Sequence, residues 1–497
     1  MKLFKKENDT VQILCFPDEE VEKGEYLAIE DFKTGKTVLV QVLDVQFVNL
    51  PGLLEDLLRN ETVESQVFGD DIDPLKLECQ INLLKDARLV IGKIRCLVDG
   101  DRVKFNVSWI PSRVYSRIYK VKPQRLCEIL GLGSGRPIVI GEFGEGAELK
   151  VNAEDFDGRL TIIMGRKGTG KSHLAKILLL GLVDHGAPCL VFDVNGEYVG
   201  LGLNSDGSPN IYSEKIRVLR PGENFKVTFR SAGRHAISNI LVHVLLTPET
   251  SVREFFRIWN ILEKAGRLSL REFRRMVEID RDMHENVREA LLSRIDSLER
   301  TGFFTDYEDE AGRLEEVFRE VEEGGAIIVD LSRLTPLERR IVVEFTLGKL
   351  VELLRCWRLR AVFLFAEEAH LYLRETYWED IVTRMRHIGL FTFFITNQPD
   401  SIKDEIYRQA DSIFLFNFVN EHDLNTIARV ARIDGETVKS IAQSLQPYHC
   451  MTIGHVTRDL PLIVKVRSLN VKTMGETRSF FTSMGRRLET LEVAHNV

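Results

Sequence analysis

The chain has 497 residues, which at about 150 per domain is roughly three domain-equivalents and excludes a small disulfide-stapled module. Apolar residues make up 44% and charged residues 29%, with 35 Gly and 14 Pro, which excludes collagen-like, low-complexity and globally disordered classes. The net charge of −8 assigns any nucleic-acid binding to a local basic surface, and seven scattered cysteines without a Cys-x-x-Cys pair fit a reducing compartment without a zinc or redox motif.

The first residues, Met-Lys-Leu-Phe-Lys-Lys, carry charge before any apolar stretch, so no signal peptide is expected. Apolar runs such as 177–183 fall short of the ~18 residues a membrane helix needs, and a cytoplasmic protein without membrane association is expected. Residues 11–15, 26–30, 37–47, 89–98 and 103–107 read as strands, with hairpin turns at Lys33-Thr34-Gly35-Lys36 and Asp99-Gly100-Asp101. With a helix expected over 51–60, residues 1–127 read as a small β-barrel carrying an insertion.

Residues 128–158 hold Gly131, Gly133, Gly135, Gly141, Gly144 and Gly146, and read as a linker into a second domain over 159–467. In that domain a strand at 160–164, a helix at 171–184 and a strand at 188–193 precede a helical stretch over 232–324. Further strands follow at 326–330, 361–366, 391–396 and 412–418. The alternation predicts an α/β domain on a mostly parallel sheet, with 232–324 as a helical insertion and 468–497 as a tail or inter-subunit brace.

Gly165-Arg166-Lys167-Gly168-Thr169-Gly170-Lys171-Ser172 satisfies the full phosphate-loop pattern between a strand and a helix. Glycines there turn backbone N–H groups toward phosphates, Lys171 reaches the β and γ phosphates, and the Ser172 hydroxyl can ligate Mg²⁺. His173 follows as a further nucleotide-binding candidate, and ATP with Mg²⁺ is the expected cofactor pair. Glu367 and Glu368 end an apolar strand where ligands bind in open α/β sheets; the first suits the metal and the second an attacking water. Asn397-Gln398-Pro399, after the next strand, is either an ordinary turn or a γ-phosphate sensor using one of its amides.

Arg384 and Arg386 read as the end of a helix, where arginine either favours the helix dipole or serves as a finger toward ATP in a neighbouring subunit. Arg159 is a second candidate for such a contact. Two basic sets, Arg220, Lys226, Arg230 and Arg234, and Arg253, Arg257, Arg267, Arg271, Arg274 and Arg275, are either solvated or ion-paired faces or contacts to DNA phosphates.

These residues resemble the HerA/FtsK branch of P-loop ATPases, and within it the archaeal HerA family. The resemblance runs over about residues 10–470: the N-terminal barrel, Arg159 with the loop to Ser172, Asp193-Val-Asn-Gly-Glu197-Tyr198, Asp330-Leu-Ser332, Glu367-Glu-Ala-His370, Arg386 to Gly389, and Thr396 to Pro399. It implies a RecA-like P-loop ATPase domain behind a HAS-type barrel, assembled as a hexamer that moves on double-stranded DNA with a NurA-type nuclease in DNA-end resection. It also implies that Glu367 and Glu368 are the Walker B and catalytic acids, that Arg386 is the finger in trans, and that Asp193 lies near the nucleotide. The family's usual Gln-Arg-Pro is replaced by Asn397-Gln398-Pro399, which removes a positive charge. An ATPase that energises conjugation or protein transport, and a nucleotide-switched scaffold of a nuclease complex, are the alternative functions.

Overall fold

The computed structural model describes residues 1–16, 18–47, 87–100, 102–105, 107–372, 384–430 and 435–474. The helix expected over 51–60 and the one expected to precede Arg384 lie outside these residues, as does most of the expected tail. The described residues form two compact units: the first draws on 1–156, 161–171 and 397–467, the second on 157–160, 172–396 and 468–474.

The chain opens with β1 (Lys2–Glu7), β2 (Thr10–Cys15), β3 (Tyr26–Asp31), β4 (Thr37–Phe47), β5 (Arg88–Asp99), β6 (Arg102–Lys104) and β7 (Ser116–Lys120). In β2 the side chains alternate, with Val11, Ile13 and Cys15 buried, as period-two patterning on a one-sided sheet requires. The strands pair antiparallel in the order β1-β2-β5-β4-β3-β7, with β6 on β5, around a core that includes Leu27, Ile29, Val38, Val40 and Val90. Bulges in the β4–β5 pairing bend the sheet. It is a half-barrel: among the described residues β1 and β7 stand at its two ends without pairing to each other.

The stretch expected as a linker is regular structure. Helix α1 (Pro123–Leu130) stops at left-handed Gly131 and is followed by the hairpin β8 (Pro137–Phe143) and β9 (Ala147–Asn152). Its glycines serve turns and close approaches, the tightest to backbone: a Cβ on Gly141 would meet the Lys465 carbonyl oxygen at 2.0 Å. Next come β10 (Leu160–Met164), α2 (Lys171–Asp184), β11 (Pro188–Asp193) and β12 (Ile216–Leu219).

The helical stretch comprises α3 (Phe229–Asn239), α4 (Glu249–Lys264), α5 (Leu270–Ile279), α6 (Glu285–Arg300) and α7 (Leu314–Val321). An aromatic cluster holds it, with Phe255 stacked on Phe273 at 4.1 Å and Phe229 packed on Trp259. Then follow β13 (Gly325–Asp330), α8 (Pro336–Arg355), β14 (Val362–Glu367), β15 (Leu390–Thr396), α9 (Asp404–Gln409), β16 (Ser412–Leu415), α10 (Glu421–Val430), α11 (Gly435–Ala442), β17 (His449–Gly454) and β18 (Leu462–Val466).

In the second unit β12-β13-β11-β14-β15 form a parallel sheet, and every residue of β13, β14 and β15 is buried, as strands covered on both faces demand. In the first unit β10 pairs parallel with β16, and β17, β18, β8 and β9 continue antiparallel. The half-barrel is fastened within this unit: Tyr26 Oη and Gln41 Nε2 donate to the Pro461 carbonyl, and Arg95 donates to Gln41 and to the Thr437 hydroxyl at 2.7 Å. Among the described residues no helix is long and apolar enough to cross a membrane.

Candidate functional site

The phosphate loop turns where strand β10 ends, in the first unit. Its backbone is closed by Thr169, whose N–H and hydroxyl both donate to the Arg166 carbonyl, at 3.3 and 2.7 Å. Lys171 Nζ donates to the same carbonyl at 3.0 Å, which folds this buried ammonium back over the loop. Arg166, Lys167 and Gly168 are exposed. The segment after β16 supports the loop: Arg166 N–H donates to the Asn417 carbonyl, and Tyr448 N–H donates to the Thr169 carbonyl at 2.9 Å. Asn417 is itself held by donating to the carbonyls of Gln443 and Leu445.

Ser172, half-buried like His173, continues helix α2 into the second unit, where the acidic strand end lies. Glu367 is 1% exposed, and Tyr198 Oη donates to its Oε1 at 3.0 Å while Oε2 is buried without a hydrogen-bond partner. Burial lifts the Glu367 carboxyl to about 8; the charges of Glu197 and Asp193 add to the rise, and the Ser172 and Tyr198 hydroxyls oppose it. A buried carboxylate with an orphaned oxygen, next to a serine hydroxyl, is the hard-oxygen pair that suits Mg²⁺, which takes few protein ligands and completes its shell with water and phosphate. The residues present therefore fit that ion.

Glu368, just past the strand, sits in the left-handed region at φ 44°, and its N–H donates to the Ile395 carbonyl at 2.7 Å. Strain of this kind in a bulky residue persists only where neighbours over-determine it, and it concentrates at functional positions. The Thr396 hydroxyl lies 3.5 Å from Glu368 Oε2 and His370 Nδ1 is equally close, with burial holding the imidazole below its ordinary pKa.

Asp193 is fully buried, and its two carboxylate oxygens accept the N–H groups of Glu197 and Tyr198 at 2.9 and 2.8 Å. Burial raises its carboxyl to about 6 against those bonds, with Asp330 and Glu197 adding to the rise. Asp193 thus closes the turn that aims Tyr198 at Glu367. Lys176 adds an ion pair to Glu197 at 3.7 Å and stands 5.3 Å above the Tyr198 ring. Tyr198 carries no role in the sequence reading beyond its place in the motif; a tyrosine five residues after a strand-ending aspartate was the available signal.

Arg386 is half-buried on a short 3-10 turn, Met385–Ile388, leading into β15. Asn397 is half-buried and Gln398 exposed, and the Gln398 carbonyl accepts the Ser401 hydroxyl at 2.6 Å. Arg159 precedes β10, at the end of that strand opposite the loop, with its Nε buried and unpartnered. Of the basic sets, Arg274 pairs with Asp296 and Glu299, Arg257 with Glu254 and Asp280, Lys226 with Glu310 and Arg220 with Asp330. These arginines and the lysine are engaged within the second unit.

Residues 138–350 match the family described as the helicase HerA central domain. The DNA double-strand break repair helicase HerA of Sulfolobus acidocaldarius is 22% identical over 471 residues, 88% of this chain and 91% of its own. A probable helicase of Methanocaldococcus jannaschii is 27% identical over 206 residues, 39% of this chain and 38% of its own. Among solved structures, the plasmid coupling protein TrwB with a non-hydrolysable ATP analogue matches at a TM-score of 0.51 and 14% identity, over 72% of this chain and 95% of its own, a likeness of fold. With a phosphate loop on a RecA-like sheet the chain is a P-loop ATPase, similar over residues 138–350 to the HerA central domain.

Proposed function

We propose that the chain is an ATP-dependent motor of the HerA type, a homo-oligomeric ring, hexameric by resemblance, that moves on duplex DNA. The observation that carries the proposal is Glu367: a buried carboxylate held by Tyr198, with one oxygen unsatisfied beside the serine that ends the phosphate loop. The backbone N–H groups from Gly165 to Ser172, with His173 following, cradle the phosphates, and Lys171 leaves the Arg166 carbonyl to meet their charge. Ser172 and Glu367 hold Mg²⁺, which when bound neutralises charge on the phosphates. Glu368, over-constrained just beyond the strand, orients and deprotonates the attacking water. Asp193 acts through the turn that sets Tyr198.

Arg386 works on the site of a neighbouring subunit, with Arg159 as a further contact of that kind, and Asn397 or Gln398 senses the γ-phosphate. A NurA-type nuclease is the partner in DNA-end resection, docked on the N-terminal half-barrel.

The experiment is the steady-state ATPase rate with and without linear duplex DNA across a salt series, with Lys171→Ala as the blank. Stimulation that fades as salt rises supports a phosphate-tracking motor; a rate indifferent to DNA at every salt concentration overturns the duplex reading and turns the search to a protein activator. Mixing Arg386→Ala with Lys171→Ala subunits restores hydrolysis if the finger acts in trans, and no recovery overturns that role.

A further inference from the structure

Tyr448 stands against the phosphate loop in a conformation that a bulky residue rarely adopts. Its φ is 60°, in the left-handed region, which disfavours residues with a Cβ and concentrates at ligand clamps. The backbone is fixed from both sides: its N–H donates to the Thr169 carbonyl at 2.9 Å, and its carbonyl accepts the Val466 N–H at 2.8 Å. The ring edge lies on Gly170, where a Cβ would stand 3.0 Å from Tyr448 Cδ1 and 3.2 Å from Phe416 Cε1, so a side chain here, already strained at φ 113°, would also crowd both rings.

Phe416 and Tyr448 both back this glycine, yet they differ in exposure. Phe416 is fully buried and packs the core, whereas Tyr448 is 50% exposed. A large aromatic side chain whose backbone is bonded to the loop and which is half exposed stands beside the loop that receives the phosphates. A nucleoside triphosphate held on this loop carries its nucleobase one ribose beyond the α-phosphate, and a base has a π-face that stacks on an aromatic ring whatever its edge carries.

We propose that Tyr448 is the stacking platform for the base of the bound nucleoside triphosphate, a role that rests on the nucleotide-binding reading of the loop. The platform supplies affinity for the base and leaves the phosphate contacts to the loop itself. Because stacking ignores the base edge, it acts on ATP and GTP alike.

The test is calorimetric titration of the full chain and of Tyr448→Ala, Tyr448→Phe and Tyr448→Asn with MgATP and, separately, with magnesium tripolyphosphate, which carries the phosphates without a base. Tyr448→Asn tolerates the left-handed backbone and keeps the test valid if the alanine variant unfolds. The expected result is an ATP affinity about tenfold weaker in the Ala and Asn variants, near normal in Phe, with tripolyphosphate affinity unchanged throughout. In turnover, KM rises and kcat at saturating ATP is kept. Unchanged ATP affinity in both the Ala and Asn variants overturns the platform, and so does an equal loss for ATP and tripolyphosphate, which would make Tyr448 a prop for the loop. Failure of the unsubstituted chain to bind either compound overturns the nucleotide reading of the loop instead.

Discussion

The phosphate loop and the acidic strand end are built on opposite physical terms. The loop is made of backbone: Thr169, Asn417 and Tyr448 close and support it through main-chain bonds, and its glycines matter for what they lack. The acidic end is made of side chains: the carboxyl groups of Asp193 and Glu367 are buried, and each is held by only a few hydrogen bonds. A backbone cradle tolerates exposure because water satisfies it before a ligand arrives. A buried carboxylate is poised only while it has too few partners, and it gains its last one with a cation.

Removing one charge from each region separates binding from turnover. Lys171→Ala is expected to reduce hydrolysis by about a thousandfold or more and to weaken ATP binding, read by phosphate release and by titration. Glu368→Gln is expected to lower hydrolysis by about 10²- to 10⁴-fold while ATP affinity is kept. Normal turnover in that variant would remove Glu368 as the base and with it the division of labour between the two regions.

A finer cut tests the support behind Glu367, the proposed metal ligand. Tyr198→Phe deletes the hydroxyl on Glu367 Oε1 and keeps the ring. The expected effect is about a tenfold higher Mg²⁺ concentration for half-maximal hydrolysis, as outer groups that orient a ligand typically impose. A Mg²⁺ dependence equal to that of the unsubstituted chain would reduce Tyr198 to a packing residue.

The smallest effect is on stability. An ordinary glutamate titrates near 4.5 and Glu367 in the fold near 8, while Asp193 moves from 3.8 to about 6. Between the two values of each group the folded chain holds a proton that the unfolded chain has released, so stability falls as pH rises across that window. Without Mg²⁺, the melting temperature is expected to drop by a few degrees between pH 5 and pH 9. Glu367→Gln should flatten part of that drop, and an unchanged slope would mean that the Glu367 carboxylate is not buried in solution.

Legibility in the sequence followed the range of the interactions. The strand at 160–164, the helix at 171–184 and the strand at 188–193 were visible because apolar runs and glycine punctuation are local, and the structure places them at Leu160–Met164, Lys171–Asp184 and Pro188–Asp193. The glycines from Gly131 to Gly146 misled for the same reason: turn formers read alike in a linker and in a hairpin, and only pairing with β18, which lies some 320 residues on, makes β8 part of a sheet. The basic sets were ambiguous in sequence because a charge does not announce its partner: Arg274 on α5 meets Asp296 and Glu299 on α6.

The sequence by itself determined the chemistry available: a phosphate loop, two strand-ending acids, and a turn of Asp193 to Tyr198. Each of these is a short run whose spacing dictates its own backbone. The tertiary structure decided which groups are short of partners. That Glu367 keeps one unsatisfied oxygen while the other takes the Tyr198 hydroxyl, and that Tyr448 stands against Gly170, depend on contacts between segments more than a hundred residues apart. Burial and hydrogen-bond satisfaction are properties of such contacts, and no local pattern encodes them.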